Sequence, residues 1–361
     1  MEIFAANKQW STRPEDERYT SIEDMHAAAV GYRNAARERD SVPVATLSVQ
    51  PVNGDVQLVG RGGLPVRISN WAFGQLAQRV SAPAAYLRTL PAELAAQNIN
   101  HGLRAKVAGA ADATLSLLFH VGNAGSALML RALTTDRYER VWNSEITERL
   151  LSLKVDGWDV ARPDIRAQDD RVPLYVSDHD MFAFIRHSGY TVAEQGNGNG
   201  LQRGFIVSNS EVGASKLRLM RFLYREMCGN HIIWGAENVS EIALRHVGNI
   251  RGRLGAWDTE IRQYLNSSAS DDEAMISRAQ RKTIAGTKDE VLDALFGKRS
   301  AAGLSRRALE AGYDAVVPDE DGSPNSVWGF VQGLTRHSQT LPYADDRTAI
   351  DKAAGKLLTA F

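Results

Sequence analysis

The chain has 361 residues, a formal net charge of −1, 43% hydrophobic residues and 24% charged residues. These values are typical of a globular protein of one large domain or two, and they exclude a chain-wide field that would attract nucleic acid or an anionic membrane. Cys228 is the only cysteine, which excludes an internal disulfide and a metal site of several cysteines. We therefore expect a reducing, cytoplasmic setting, with no targeting segment or membrane span.

The first half alternates between helical and strand patterns. We predict a loose arm over residues 1–20 and a helix over residues 21–39. The Asn53-Gly54 pair between apolar segments predicts a β-hairpin. Further predicted elements are helices over residues 70–80, 83–90 and 91–106, a second hairpin over residues 114–120 and 126–133, and a helix that ends at Leu153.

Residues 154–173 are polar and rich in turn formers, and they predict a seam between an N-terminal part, residues 21–153, and a C-terminal part, residues 174–361. In the second part we expect Asp178-His179-Asp180 to begin a helix, because acids suit a helix N-terminus. The chain beyond Gly235 reads as mostly helical. The predicted class is α+β, with antiparallel β-hairpins packed on helices and a mostly helical C-terminal region.

One stretch, residues 208–235, reads as an amphipathic helix that begins at Ser208 and ends near Gly229. Ser208 and Glu211 fit the spacing of a capping box. At 100° per residue, three arginines fall within one sector, opposite an apolar side. The arginines are Arg218, Arg221 and Arg225, and the apolar side is Leu219, Phe222, Leu223 and Met227.

Three uses of these arginines stay open: a solvated or internally paired face, a phosphate-binding face, and a clamp for a catalytic anion. Residues 201–307 hold 17 lysines and arginines against 12 acids, so the basic charge is concentrated in this part of a near-neutral chain. Candidate secondary contacts to phosphate are Lys216, Arg203, Asn209, Ser210, Arg251 and Arg253, and Arg245 continues the basic segment.

Other patterns give weaker signals. The glycines at 196, 198 and 200 precede a strand rather than a helix, so they predict a hairpin tip or a mobile loop and not a dinucleotide site. Cys228 and His231 have a spacing that a nucleophile pair or a zinc site could use, but we favour a structural cysteine at a capped helix end. We expect no metal and no cofactor. The tryptophans Trp71, Trp142, Trp234 and Trp328 are predicted to be core residues, with base stacking by one or two of them as the alternative.

Several stretches resemble the phage- and plasmid-like proteins classed as domain of unknown function number 932. The most specific are Thr135-Asp136-Arg137-Tyr138 and Asn209-Ser210-Glu211-x-Gly213, within LTTDRYERVWN and GFIVSNSEVGASKLRLMRFLYREMCGNHII, and ISNWAFGQLAQRV and VWGFVQGLTRHSQTL agree with them. The resemblance implies an accessory protein of a mobile element in a bacterial cytoplasm. It implies no catalytic residues. The order of hairpin strands and a basic helix is also similar to the core of single-strand annealing recombinases.

The favoured function is nucleic-acid binding, DNA before RNA, with single-strand binding or annealing as its specific form. A rival is a factor that binds a host protein and counters a defence system. The other rival is an enzyme on nucleic acid or nucleotide, which would use Asp136, Arg137 and Tyr138 with Cys228 or His231. The sequence favours a binding protein over an enzyme, and it leaves a homo-oligomer open.

Overall fold

We describe the protein from a computed structural model. The structure describes residues 17–109, 113–122, 128–161, 174–194, 197–225, 230–232, 242–296, 303–340, 350, 353–358 and 360–361. In these ranges it is an α+β protein with two sheets and a helical C-terminal region, as the sequence predicts. No helix of the described ranges combines the length and apolar content that crossing a bilayer requires.

The N-terminal elements comprise the six strands of the first sheet, the strands β1 and β8 of the second sheet and five helices. The strands are β1 Arg18–Tyr19, β2 Ala36–Pro43, β3 Val49–Val52, β4 Asp55–Val59, β5 Pro65–Ile68, β6 Thr114–His120, β7 Met129–Thr135 and β8 Trp158–Val160. The helices are α1 Ile22–Ala35, α2 Asn70–Arg79, α3 Ala84–Leu87, α4 Ala92–Gly109 and α5 Asn143–Leu153.

The remaining elements form the second sheet and the C-terminal helices. The strands are β9 Leu174–Val176, β10 Met181–Glu194, β11 Asn197–Asn209, β12 Leu217–Arg225, β13 Asn230–Ile232 and β14 Ile242–Leu244. The helices are α6 Ile250–Asn266, α7 Ser270–Arg281, α8 Lys288–Leu295, α9 Arg306–Asp314, α10 Pro318–Asp321 and α11 Val327–Thr340.

The first sheet has the strand order β2-β6-β7-β5-β4-β3, with β5 and β7 parallel and its other pairs antiparallel. Both predicted hairpins are confirmed. The turn of β3 and β4 has positive φ at Asn53 (52°) and Gly54 (80°), the backbone that matches the twist of a two-residue hairpin. Strands β6 and β7 pair from Leu115 opposite Thr135 to His120 opposite Met129.

The first sheet is covered on both faces. Leu115, Leu117 and Phe119 of β6 pack in one cluster with residues of α2 and α4. Leu118, between them, packs with Trp142, Val212 and Ala214 instead. Because side chains alternate across a strand, the second face of this sheet meets the turn that follows β11. The candidate site lies at this contact between the first sheet and the turn after β11.

The second sheet runs β1-β9-β10-β11-β12-β13, with β14 on β12 and β8 on β10. The predicted helix over residues 208–235 is wrong, since this stretch ends β11 and then forms β12 and β13. Leu217 and Leu219 pack into one cluster, and Met220 and Phe222 into another on the opposite face. A strand buried on both faces is apolar throughout and loses its period of two, so it imitates a helical stripe.

The predicted helix start at Asp178-His179-Asp180 is also wrong, because the segment is a tight turn between β9 and β10. The capping-type hydrogen bonds are present: Ser177 Oγ accepts from the backbone N of His179 and Asp180 at 3.3 and 3.2 Å. They close a reverse turn here, because the apolar run that follows alternates between two sheet faces, with Phe182 and Phe184 on one and Ala183 on the other.

The C-terminal helices gather around one apolar cluster that includes Trp328, Phe330 and Leu334. Of the predicted core tryptophans, Trp142 and Trp328 are buried, Trp71 is half-buried and Trp234 lies outside the described residues. Of the predicted N-terminal arm, residues 1–16 lie outside the described ranges, and β1 pairs with β9. The division into two parts at residues 154–173 stays a prediction.

Candidate functional site

The structure does not bring Arg218, Arg221 and Arg225 together in one row. Neighbouring side chains of a strand point to opposite faces, so Arg218 and Arg221 lie on opposite sides of β12. The Arg221 guanidinium bonds Glu260 Oε2 at 3.2 Å and lies 4.7 Å over the ring of Tyr264. Arg225 ends the strand, and its side chain lies outside the described part. The sequence predicts a row of three arginines only because this stretch is interpreted as a helix.

Arg203 points its side chain into the protein interior. Its side chain is buried, and its guanidinium donates to the carbonyl oxygens of Tyr264 at 2.6 Å and Ser267 at 2.8 Å and to Asp272 Oδ2 at 2.9 Å. Through these hydrogen bonds the buried Arg203 guanidinium holds the end of α6 against β11. It is not placed at the surface to meet phosphate.

Asn209 and Ser210 are likewise fully buried. Asn209 Nδ2 donates to Val141 O at 2.9 Å and to Asn143 Oδ1 at 2.8 Å. Ser210 Oγ donates to His179 O at 2.6 Å and accepts from the backbone N of Ala214 at 2.9 Å. Of these two predicted phosphate contacts, Asn209 therefore joins the second sheet to the start of α5, and Ser210 joins the end of β11 to the turn between β9 and β10. Sequence spacing could not show either role.

Glu211 is the centre of this junction. Its buried carboxylate accepts from Arg131 Nη2 at 3.1 Å and from the backbone N of Asn143 at 2.8 Å, and its carbonyl oxygen accepts from Arg140. Arg140 also pairs with Glu38 at 2.6 Å. Sequence reasoning missed the pair of Glu211 and Arg131. One feature of the sequence could have indicated this pair. Arg131 lies inside the apolar strand β7, and a buried charge needs a partner.

Tyr138 links this junction to the surface. Its hydroxyl donates to Ser210 O at 2.7 Å, and its ring stacks on His246 with centroids 4.9 Å apart. Burial raises the pKa of Tyr138 and lowers the pKa of His246 to about 4, so both side chains are neutral near pH 7. Asp136 accepts from the backbone N of Ser41 at 3.3 Å and from Thr114. The Thr-Asp-Arg-Tyr motif is thus held by internal hydrogen bonds.

Beside Tyr138 lies a group of cations that we call the basic rim. It consists of Arg137, Lys216, Arg245, Arg251 and Arg253. Leu217 of β12 pairs with Leu244 of β14, so Lys216 and Arg245 stand opposite one another just beyond that pair. The backbone N of Glu139 donates to His246 O at 2.8 Å, which brings Arg137 to the same region.

The first turn of α6 supplies the rest of the rim. Glu139 caps this helix, accepting from the backbone N of Asn249 at 2.7 Å and of Ile250 at 2.8 Å. The first turn contains no acid, yet it carries Arg251 and Arg253. Cations at a helix N-terminus oppose the helix dipole, and the Glu139 carboxylate that caps α6 counters this effect.

Most of the rim charge has no acidic partner among the residues that the structure describes. The four rim arginines are exposed, and Lys216 is half-buried. Arg251 lies 3.5 Å from Glu145. For the other four rim cations, no carboxylate of the described residues lies within 4.0 Å. The rim is therefore a local surplus of positive charge on a chain whose net charge is −1.

A cleft adjoins the rim between α2 and the turn after β11. It consists of two cavities of about 590 and 740 Å³ that share Gln75, Gln78 and Gly213. The first cavity is also lined by Tyr138 and Arg79. The second is also lined by Trp71, His179, Arg88, Asn70 and Asp178. Tyr138 forms a wall of the first cavity while its ring stacks beside the rim, so rim and cleft are neighbours.

The cleft wall is fixed by one carbonyl group. Val212 O accepts from Trp71 Nε1 at 3.0 Å and from Gln75 Nε2 at 2.8 Å, while Gln75 Oε1 accepts from the backbone N of Leu133 at 2.9 Å. The next residue, Gly213, has φ +81°, which favours glycine. This conformation explains the glycine in Asn-Ser-Glu-x-Gly.

The groups proposed for an enzyme are not assembled by the described residues. Tyr138 and Asp136 are bound internally, Cys228 lies outside the description and so does the side chain of His231. Gly198 and Gly200 of the glycine segment lie in β11, which pairs with β10 up to Glu194 opposite Asn197, and Gly196 lies outside the described residues. Within the described ranges, no three His, Cys, Asp or Glu side chains are grouped to hold a metal ion.

Comparison with known proteins gives one family. The model of a family described as "Domain of unknown function (DUF932)" matches residues 133–348, more than half of the chain. This range includes the Thr-Asp-Arg-Tyr motif, Glu211 and every residue of the basic rim, while Arg131, the partner of Glu211, precedes it. Neither the curated proteins nor the solved structures gave a match.

Proposed function

The chain belongs to this family, and because the family description assigns no activity, we propose from the geometry that the protein binds nucleic acid through the basic rim. The observation that carries the proposal is the set of rim cations that have no carboxylate partner among the described residues, next to a cleft. Two of them, Lys216 and Arg253, are among the contacts that the sequence predicts, and so is Arg251, the rim cation that lies 3.5 Å from Glu145.

The rim suits a phosphate backbone for two physical reasons. Guanidinium groups present forked donors that match phosphate oxygens. Each phosphate that a cation neutralises releases counterions, so the affinity falls as salt rises. The rim offers five cations from three segments, so it can contact several successive phosphates of one strand.

A single strand suits the neighbouring cleft better than a duplex. Bases of an unpaired strand can turn into a cavity and stack on aromatic side chains, whereas bases of a duplex face each other. Strands β10 to β14 followed by α6 keep only the strands-then-helix order of single-strand annealing recombinases, because the basic helix of that comparison is the strand β12 here. That likeness is an analogy at the level of the fold. It supports a role in the upkeep of phage or plasmid DNA, with annealing as its specific form.

An acidic protein surface is the rival ligand, because the same cations would attract carboxylates. A factor that counters host defence would use the rim in this way. The two ligands differ in salt response and sequence tolerance: phosphate binding is independent of base sequence and follows a linear log–log salt law.

The test is fluorescence anisotropy with labelled single-stranded and duplex DNA across a salt series. The variant is Lys216→Ala with Arg245→Ala, since neither side chain has a hydrogen-bond partner among the described residues. Each lost phosphate contact should lower the magnitude of the salt slope by about 0.7 for a single strand, so the double variant should lose about 1.4 and bind at least tenfold more weakly.

The control is Arg278→Ala, an exposed arginine on α7 in the C-terminal helical cluster. It removes one positive charge at a site away from the rim elements and should leave the affinity nearly unchanged. Equal binding by the double variant and the wild-type protein would overturn the proposal. If the protein binds no DNA at low salt but captures a host protein through the rim, the rival function takes its place.

A further inference from the structure

We infer that the second cavity of the cleft holds one nucleotide of the bound strand, with its base against Trp71 and its phosphate on Arg88. This inference rests on the proposed function, because the rim delivers the strand. The cavity volume of about 740 Å³ falls within the range of sites that bury small organic ligands.

Trp71 supplies a fixed aromatic surface. Its Nε1 donates to Val212 O at 3.0 Å, so the indole is held in place before any ligand arrives. Its ring lies nearly parallel to that of His179, with an angle of 14° and centroids 6.4 Å apart. Both residues line the cavity. A rigid aromatic surface loses little entropy on binding, and every base has a face that can stack on it.

Arg88 supplies an oriented cation at the same cavity. Its Nη2 donates to Asn70 Oδ1 at 2.6 Å and to Asn70 O at 3.0 Å, and the guanidinium lies 5.0 Å over the ring of Phe73. The side chain is exposed, and no carboxylate of the described residues lies within 4.0 Å of it. A guanidinium fixed on one edge and free of an acid partner is suited to a phosphate oxygen.

The cavity also contains an acid, which bears on the ligand. The Asp178 carboxylate accepts from His179 Nδ1 at 2.7 Å. A carboxylate repels a free phosphate but can accept from the exocyclic amino group of a base. An aromatic surface, a cation and an acceptor together fit a nucleotide unit better than a bare inorganic anion.

The strand has a path from the rim to this cavity. The first cavity shares Gln75, Gln78 and Gly213 with the second, and its wall Tyr138 stacks on His246 beside Arg245. A strand whose phosphates lie on the rim can therefore turn a base past Gly213. Gly213 lines both cavities, so this step lies where the two cavities meet.

The experiment compares an intact single-stranded oligonucleotide with one of the same length whose sugar–phosphate backbone carries abasic sites. The wild-type protein should bind the intact strand about tenfold more tightly, since stacking of one base contributes roughly this factor. Trp71→Leu should bind both strands equally, at the weaker level, and keep the salt slope of the wild-type protein.

The outcomes separate the two proposals. Equal wild-type affinity for intact and abasic strands, with the salt dependence intact, would overturn the nucleotide site and leave the rim proposal standing. No salt-dependent binding of either strand would overturn the rim proposal and this inference with it.

A second variant keeps the test decisive if Trp71→Leu does not fold. Arg88→Gln changes an exposed side chain, should weaken binding of the intact strand several-fold and should reduce the magnitude of the salt slope by about 0.7. Wild-type affinity and slope in Arg88→Gln would overturn the assignment of the phosphate to Arg88.

Free nucleotide serves as a competitor: displacement by nucleoside monophosphate but not by inorganic phosphate supports a nucleotide over an adventitious anion, and equal displacement by both contradicts it.

Discussion

Replacing Glu211 by glutamine tests the junction that positions the site. The substitution keeps the size of the side chain and an oxygen for the backbone N of Asn143, but it removes the charge that faces Arg131 at 3.1 Å. Both side chains are at most 1% exposed. Removing one partner of a buried ion pair costs about 3–5 kcal/mol, because the other charge stays buried without compensation.

This cost can be expressed as a melting temperature. The unfolding entropy is roughly 2.1 cal/mol/K per residue, which gives about 0.76 kcal/mol/K for 361 residues. A loss of about 4 kcal/mol then lowers Tm by about 5 °C. Thermal unfolding followed by circular dichroism measures the shift. Arg306→Ala, which removes an exposed group of ion pairs with Asp293 and Glu310, is the control and should hardly move Tm.

A double variant separates the ion pair from general damage. Arg131→Met combined with Glu211→Gln removes both charges, so it should be less destabilised than the sum of the two single variants by at least about 1 kcal/mol. A Tm of Glu211→Gln within about 1 °C of the wild-type value would refute the reasoning. Strict additivity in the double variant would show that the two charges do not stabilise one another.

The remaining predictions concern the same region. Gly213→Ala should cost about 1–2 kcal/mol in urea unfolding, because φ is +81° while the added Cβ would meet its nearest neighbour at an ordinary 3.6 Å; a neutral result would refute the need for glycine. His246 is buried neutral with a pKa of about 4, below its ordinary 6.5, so the unfolded chain binds its proton first as pH falls. The stability due to His246 is therefore complete above pH 6.5 and lost as pH falls toward 4, by up to about 3 kcal/mol. Urea unfolding of the wild-type protein and His246→Gln across this range measures the difference, and parallel pH profiles would contradict it.

The sequence predicts the parts of the fold that depend on local chemistry. Asn53-Gly54 specifies its hairpin because both residues tolerate positive φ, and Ser21 begins α1 by accepting from the backbone N of Asp24. The stretch after Ser208 is predicted wrongly because β12 is buried on both faces. Its alternation is hidden, and arginines three and four residues apart imitate one helical face.

The candidate site depends on pairings that are distant in the sequence. Arg131 and Glu211 are 80 residues apart, and Arg203 meets Asp272 across 69 residues. No spacing rule connects such residues. Local charge does identify Lys216, Arg251 and Arg253 as basic residues of interest, but only the pairing of Leu217 with Leu244 shows that Lys216 stands beside Arg245. The sequence predicts Trp71 to be a core residue, and the structure places it at the cleft.

The most direct measurement is the salt dependence of single-strand binding by the wild-type protein and by the Lys216→Ala, Arg245→Ala double variant. We expect a linear fall of log affinity with log salt in the wild-type protein and a shallower line in the double variant. Two superimposed lines would contradict the central claim that the basic rim binds the phosphate backbone.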